Sequence, residues 1–224
     1  MNNRIDGDTP IDQLKEVMRR LRAPDGCPWD KEQDHMSIRF HAVEEVYELI
    51  DAIEADDNQE MLEELGDLLL QVIFHSQLAS EKGHFDFDKV AQTIVEKLIR
   101  RHPHVFGDNK DADNADKVLS QWEQIKKAEK EGTSHQRDSA LDGIPNHLPA
   151  LAKTEKLVKK ARKAGLMPMT YSGPLQPMSG DQIAGQLFEL TSLAQSNGLS
   201  AEALLRDFHQ QMEASLRAAE ANAN

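Results

Sequence analysis

Between Gln59 and Ser80 the chain carries a helical pattern that is apolar around most of its circumference. Leu65, Leu68, Leu69, Leu70, Val72, Ile73 and Phe74 cover the greater part of that surface. Through it runs one polar stripe, Glu64, Asp67, Gln71 and His75, at intervals of 3, 4 and 4. Residues three or four apart share one face of an α-helix, and a helix apolar on most sides is a largely buried one. This segment therefore belongs at the centre of a fold, with a carboxylate pair inside it. Ionised carboxylates in such a place cost several kcal/mol each unless they are paired or metal-bound. A solvated acidic face, the usual reading of a glutamate cluster, does not suit so many leucines.

The flanking segments keep the helical period. Thr9 is an N-cap and Pro10 occupies the first helical position. Ile11, Leu14, Val17 and Leu21 follow as one stripe, and the turn Ala23-Pro24-Asp25-Gly26 ends it. A helix from about Ser37 to Ala55 rests on Phe40, Val43, Tyr47, Ile50 and Ile53, and another spans Asp86 to Arg101 until His102-Pro103 stops it. After the polar loop GDNKDADNAD comes a helix carrying Val118, Leu119, Trp122 and Ile125. No run of alternating β-branched residues competes, so the fold class is all-α. The 224 residues allow one large domain or two small ones. Residues 130–149, punctuated by Pro145 and Pro149, read as a linker. Beyond lie a basic helix (150–164), a Gly/Pro/Met-rich loop (165–180) and two more helices, the second capped by Ser200. GDLLLQVIFHSQLASEKG at 66–83 is similar to AGQLFELTSLAQSNG at 184–198. A decayed tandem repeat and a chance likeness of amphipathic helices both explain that.

The helix preceding the central one answers its stripe. Glu44, Glu45 and Glu48 form E-E-x-x-E, and Glu64 with Asp67 forms E-x-x-D. Two acidic faces on consecutive helices imply a cation between them. Cys27 is the one cysteine and there is no clear histidine cluster, so hard oxygen ligands point to Mg²⁺, with Mn²⁺ a substitute. The net charge of −13 makes nucleic acid a poor partner, because a phosphate backbone would be repelled. On the helix ending at Arg101, Lys97 and Arg101 fall in line with Val90 and Ile94, the core stripe. Cations there either snorkel or face a cleft. Trp122 and Lys126 repeat that pattern four residues apart, and an aromatic plane beside a cation suits a base and a phosphate. His102 and His104 read as capping or packing residues. DNKDADNAD lacks the central Gly and terminal Glu of a calcium loop. Neither the P-loop nor the G-x-G-x-x-G pattern is present. The N-terminus has no apolar signal region, and the LLLQVIF stretch at 68–74 is far short of the roughly 20 residues that span a bilayer. A single cysteine fits a reducing, cytoplasmic compartment.

On these residues the chain resembles the MazG nucleoside triphosphate pyrophosphohydrolases. E-E-x-x-E followed on the next helix by E-x-x-D is similar to their signature. So are GCPWDKEQDH at 26–35, ELGDLLLQVIFHSQLA at 64–79, EKLIRRHPHVFGD at 96–108 and WEQIKKAEK at 122–130. SALDGIPNHLPAL at 139–151 looks like the join between the tandem domains of that family. The resemblance implies a MazG-like helical bundle that forms a homodimer. It also implies Mg²⁺-dependent hydrolysis of a nucleoside triphosphate to the monophosphate and pyrophosphate. Carried over by residue, the metal ligands are Glu45, Glu48, Glu64 and Asp67; Lys97 and Arg101 hold phosphates, and Trp122 and Lys126 lie along the nucleotide. Glu44 becomes a supporting acceptor or a group that orients water. Residues 1–138 are then the catalytic domain and 139–224 a degenerate, structural repeat. After residue 150 there is no second E-E-x-x-E, and Gln182, Gly185, Gln211 and Ser215 stand where Glu64, Asp67, Lys97 and Arg101 have their counterparts. The alternative reading is a nucleotide-sensing or partner-binding helical module that keeps the metal site without useful turnover.

Overall fold

Thr9 accepts the Asp12 backbone N–H and Pro10 opens α1 (Pro10–Leu21). The computed structural model describes residues 5–107, 114–133, 136–168 and 178–223, and these contain helices and no strand. After α1 come α2 (Pro28–Glu32), α3 (His41–Glu54), α4 (Asn58–Glu81), α5 (Phe87–Arg101) and α6 (Pro103–Phe106). Then follow α7 (Ala115–Ala128), α8 (Ala150–Lys163), α9 (Gly180–Ser196) and α10 (Ala201–Ala223). The loop at 107–116 and the Met-rich loop each lie partly outside the described residues, Met169 among them.

α3 starts four residues later than the Ser37 expected from periodicity. The Asp34 carboxylate accepts the backbone N–H groups of Met36 and Ser37, both at 2.8 Å, and holds that stretch in a turn. Such local side-chain bonds compete with helix formation. Helix α2, five residues long, is too short to show a period in the sequence.

The chain clusters into two compact units, Met1–Trp122 and Glu123–Asn224. In the first, α4 is the hub, packed most extensively on α3 and also on α1 and α5. Its core joins Met18, Ile38, Ile73, Phe74 and Leu78. The Arg22 guanidinium clamps both Glu81 oxygens at 2.7 Å and lies over the Phe74 ring, tying the end of α1 to the end of α4. Such forked pairs are geometrically specific. The expectation of a largely buried α4 needs correction. Leu62, Leu65, Leu69 and Val72 remain 37–67% exposed, because α1, α3 and α5 cover only part of the circumference.

In the second unit α8 and α9 both pack on α10. Leu141, Leu157, Ala161 and Leu216 form its core. Leu141 is 1% exposed, so the stretch read as a linker supplies a core residue. Glu220 anchors it by accepting the Ser139 hydroxyl and the Ala140 N–H.

The similar segments at 66–83 and 184–198 end in the same cap, with Gly83 and Gly198 at positive φ and the following N–H bonded to the Ala79 or Ala194 carbonyl. Helices α3 and α8 close the same way at Asp56 and Gly165. The shared cap therefore does not distinguish a repeat from a common helix ending.

Candidate metal and phosphate site

Glu45 and Glu48 stand three residues apart on α3 and face Glu64 of α4. One carboxylate oxygen from each of the three lies within 4.8 Å of the others. Glu64 is 8% exposed, and its Oε2 atom is buried with no hydrogen-bond partner. Gln71, also buried and two turns further along α4, donates from Nε2 to Glu45 Oε1 at 3.3 Å. Burial pushes the Glu45 carboxyl above its usual range, and the charges of Asp67 and Glu48 push it further, with the Gln71 bond opposing them. Glu64 is raised in the same way, by burial first and then by Glu48, Glu60, Asp67 and Glu45.

Three mutually repelling carboxylates around an orphaned buried oxygen fit a hard divalent cation. Asp67 lies one turn beyond Glu64, half-buried and outside this trio, and its charge acts on both Glu45 and Glu64. Glu44 is exposed, 3.5 Å from His41 Nδ1 at the start of α3.

The Arg101 guanidinium lies over the Trp122 ring, 5.2 Å from its centroid. This cation–π contact unites the last turn of α5 with α7. Lys97, half-buried, sits one turn before Arg101 on α5. Lys126, one turn past Trp122, falls in the second unit. His102 caps α5, its Nδ1 atom 2.7 Å from the Leu98 carbonyl.

Two features escaped the sequence reading. Gln71 belonged to the polar stripe without a role, although its position one turn past Asp67 was the available signal. The second is a stacked histidine pair, His35 and His75, with Nδ1 atoms 2.8 Å apart and rings inclined by 4°. Burial, then the His35 charge, holds His75 below the ordinary histidine range. A short Nδ1 contact of this kind needs one ring as donor and the other as acceptor. Forty positions separate the two, so no local pattern links them.

An all-α unit with an uncompensated carboxylate trio and a guanidinium laid on an indole has the construction of a cation-assisted polyphosphate-binding protein. Residues 33–106, which include the whole trio, match the MazG nucleotide pyrophosphohydrolase domain. The chain is 44% identical over 180 residues to the nucleoside triphosphate pyrophosphohydrolase of Escherichia coli (strain K12), covering 80% of this chain and 67% of that protein. It is 43% identical over 155 residues to the nucleoside triphosphate pyrophosphohydrolase/pyrophosphatase MazG of Thermotoga maritima, covering 69% and 58%. It is 51% identical over 146 residues to the uncharacterized protein YabN of Bacillus subtilis, covering 65% of this chain and 29% of the Bacillus protein. The chain belongs to the MazG nucleotide pyrophosphohydrolase family. It spans between 29% and 67% of the lengths of these three relatives.

Proposed function

We propose that this chain is a Mg²⁺-dependent nucleoside triphosphate pyrophosphohydrolase. Water adds across the anhydride between the α and β phosphates, the bridging P–O bond breaks, and a nucleoside monophosphate and pyrophosphate leave. The observation that carries this reading is the buried, unpartnered Glu64 oxygen within a three-carboxylate cluster. Glu45, Glu48 and Glu64 hold the ion, with Asp67 completing the set, and Mn²⁺ substitutes for Mg²⁺. When bound, the ion supplies positive charge to phosphate oxygens and lowers the pKa of a water. Gln71 fixes the orientation of Glu45. Lys97 and Arg101 take phosphate oxygens, while Trp122 and Lys126 lie along the nucleotide. Phosphoryl chemistry of this kind is largely positioning and charge stabilisation, which these residues provide.

Residues 1–138 act as the catalytic domain and 139–224 as a degenerate repeat without turnover of its own, lacking a second acidic signature. A homodimer is the working form. Tyr47 and Ile50 of α3 and Leu62, Leu65, Leu69 and Val72 of α4 leave apolar surface open, of the kind that marks an interaction site. The cytoplasm is the place of action. Among the described residues no helix is long and apolar enough to cross a membrane.

The test is pyrophosphate release from a panel of ribo- and deoxyribonucleoside triphosphates with Mg²⁺. Monophosphate and pyrophosphate are the expected products. A diphosphate with free phosphate as primary products, or no turnover of any member, would overturn the reading.

A further inference from the structure

The buried residues of α8 are Ala150, Lys153, Leu157 and Ala161, at intervals of 3, 4 and 4. They form one helical face turned to the second core, and one of them is a lysine. Lys153 is 6% exposed, yet its ammonium makes no ion pair or hydrogen bond among the described residues. Its aliphatic stem is covered, while the Nζ atom keeps contact with solvent, as in a snorkelling lysine.

The side chain lines a cavity of about 470 Å³, together with Asn146, Arg206, Gln210, Glu213 and Arg217. That size is in the range of small-molecule sites. Asn146 comes from the segment before α8, and the other four from one face of α10, at intervals of 4, 3 and 4. The neighbouring acids are already engaged. Glu202 accepts from Arg206 at 2.5 Å and from the Ala150 N–H at 2.9 Å. Asp142 and Glu213 both accept from Arg217, at 2.8 and 2.7 Å. The Lys153 charge is left over.

Beside it His209 is 2% exposed, with neither ring nitrogen in a hydrogen bond. Burial, then the Lys153 charge, holds it below its usual range, against Glu213, whose Oε2 atom lies 3.8 Å from its Nδ1. An imidazole supplies no negative counter-charge to the lysine in either protonation state.

We propose that this cavity in the second unit is a binding site for a small phosphate-bearing anion, with the Lys153 ammonium as its central contact. Asn146 and Gln210 belong to its wall. A carboxylate would be matched by an arginine fork, but the guanidinium groups of Arg206 and Arg217 are both held by acids. A lining drawn from the segment before α8, from α8 and from α10 can reach an anion from several directions, which suits a tetrahedral oxyanion better than a planar one. The site is independent of the acid cluster and of turnover.

Calorimetric titration of the full chain with inorganic phosphate and with pyrophosphate, in EDTA, tests this. EDTA keeps the carboxylate trio free of cations and unable to bridge to phosphate. At least one of the two anions should bind saturably, one per chain. Lys153→Met should weaken it about tenfold or more, the loss of one charge-assisted contact. Lys153→Arg should restore most of it, and Glu64→Gln should leave it unchanged. Gln210 is exposed, so Gln210→Glu tests the cavity without disturbing the core and should also weaken binding. The proposal fails if neither anion binds saturably, or if acetate binds as tightly as phosphate. It fails equally if both a folded Lys153→Met and Gln210→Glu bind like the parent.

Discussion

Glu64 concentrates the chemistry of the first unit in one side chain. Its buried, unpartnered oxygen gains nothing from the protein alone, so a cation should stabilise the fold through it. At 100 times the dissociation constant a ligand adds about 2.7 kcal/mol, and Mg²⁺ should raise the thermal midpoint accordingly. Glu64→Gln should abolish that rise and lower turnover by more than about 100-fold, while Gln71→Leu, which frees Glu45, should cost about 10–100-fold. Scanning calorimetry with and without Mg²⁺, alongside pyrophosphate release, decides it. A Glu64→Gln protein that still responds to Mg²⁺ like the parent would sink the assignment.

Histidines set a different dependence. His75 and His209 are both held below the ordinary value of 6.5 by burial. Their folded values are depressed, so below pH 6.5 the unfolded chain takes up protons that the folded chain refuses. Their contribution is fully present above pH 6.5 and is lost as pH falls toward the folded values. Urea midpoints measured from pH 7.5 to 5.5 should decline, and His209→Leu should flatten the decline. An equal slope in that variant would assign the effect elsewhere.

At the scale of elements, the end of α3 carries a local cost. Asp56 has φ +54°, the only non-glycine at positive φ among the described residues. It closes the helix while the Asp57 N–H bonds to the Ala52 carbonyl. A side chain in the left-handed region costs roughly 1–2 kcal/mol that glycine avoids. Asp56→Gly keeps every backbone bond of the cap and should stabilise the fold by about 1 kcal/mol, with glycine's larger chain entropy offsetting part of the gain. Thr9→Ala should cost α1 about 1 kcal/mol through its lost cap. Chemical denaturation measures both, and a destabilised Asp56→Gly would mean that the aspartate side chain holds the turn.

For the whole molecule, the open strip on α3 and α4 governs assembly. Light scattering should give twice the 25.2 kDa of one chain. Leu65→Glu, at an exposed position, should return the mass to that of a monomer, because a charge desolvated in an apolar interface is costly. A parent protein that runs as a monomer at all concentrations would refute the dimer. Residues 139–224 should be spared from chemistry: Asp181→Ala and Glu189→Ala should keep turnover within about twofold, as surface changes ordinarily do.

Helical period, caps and the two acidic spacings were written in the sequence, because each depends on residues within a turn or two of one another. Thr9, Pro10 and Asp86 mark helix starts wherever the chain goes, and Glu45 with Glu48 shares a face as soon as α3 forms. The contacts that cross between elements could not be read that way. His35 meets His75, Arg22 meets Glu81, and Arg101 lies on Trp122 only because α1, α4, α5 and α7 pack as they do. Periodicity also could not say that α4 keeps an open apolar strip, since it reports which residues avoid water and not which neighbour covers them. Lys153 shows the same limit from the other side. A lysine in a basic helix reads as fully solvated, and only the packing of α8 on α10 covers its stem and leaves its ammonium without a counter-charge.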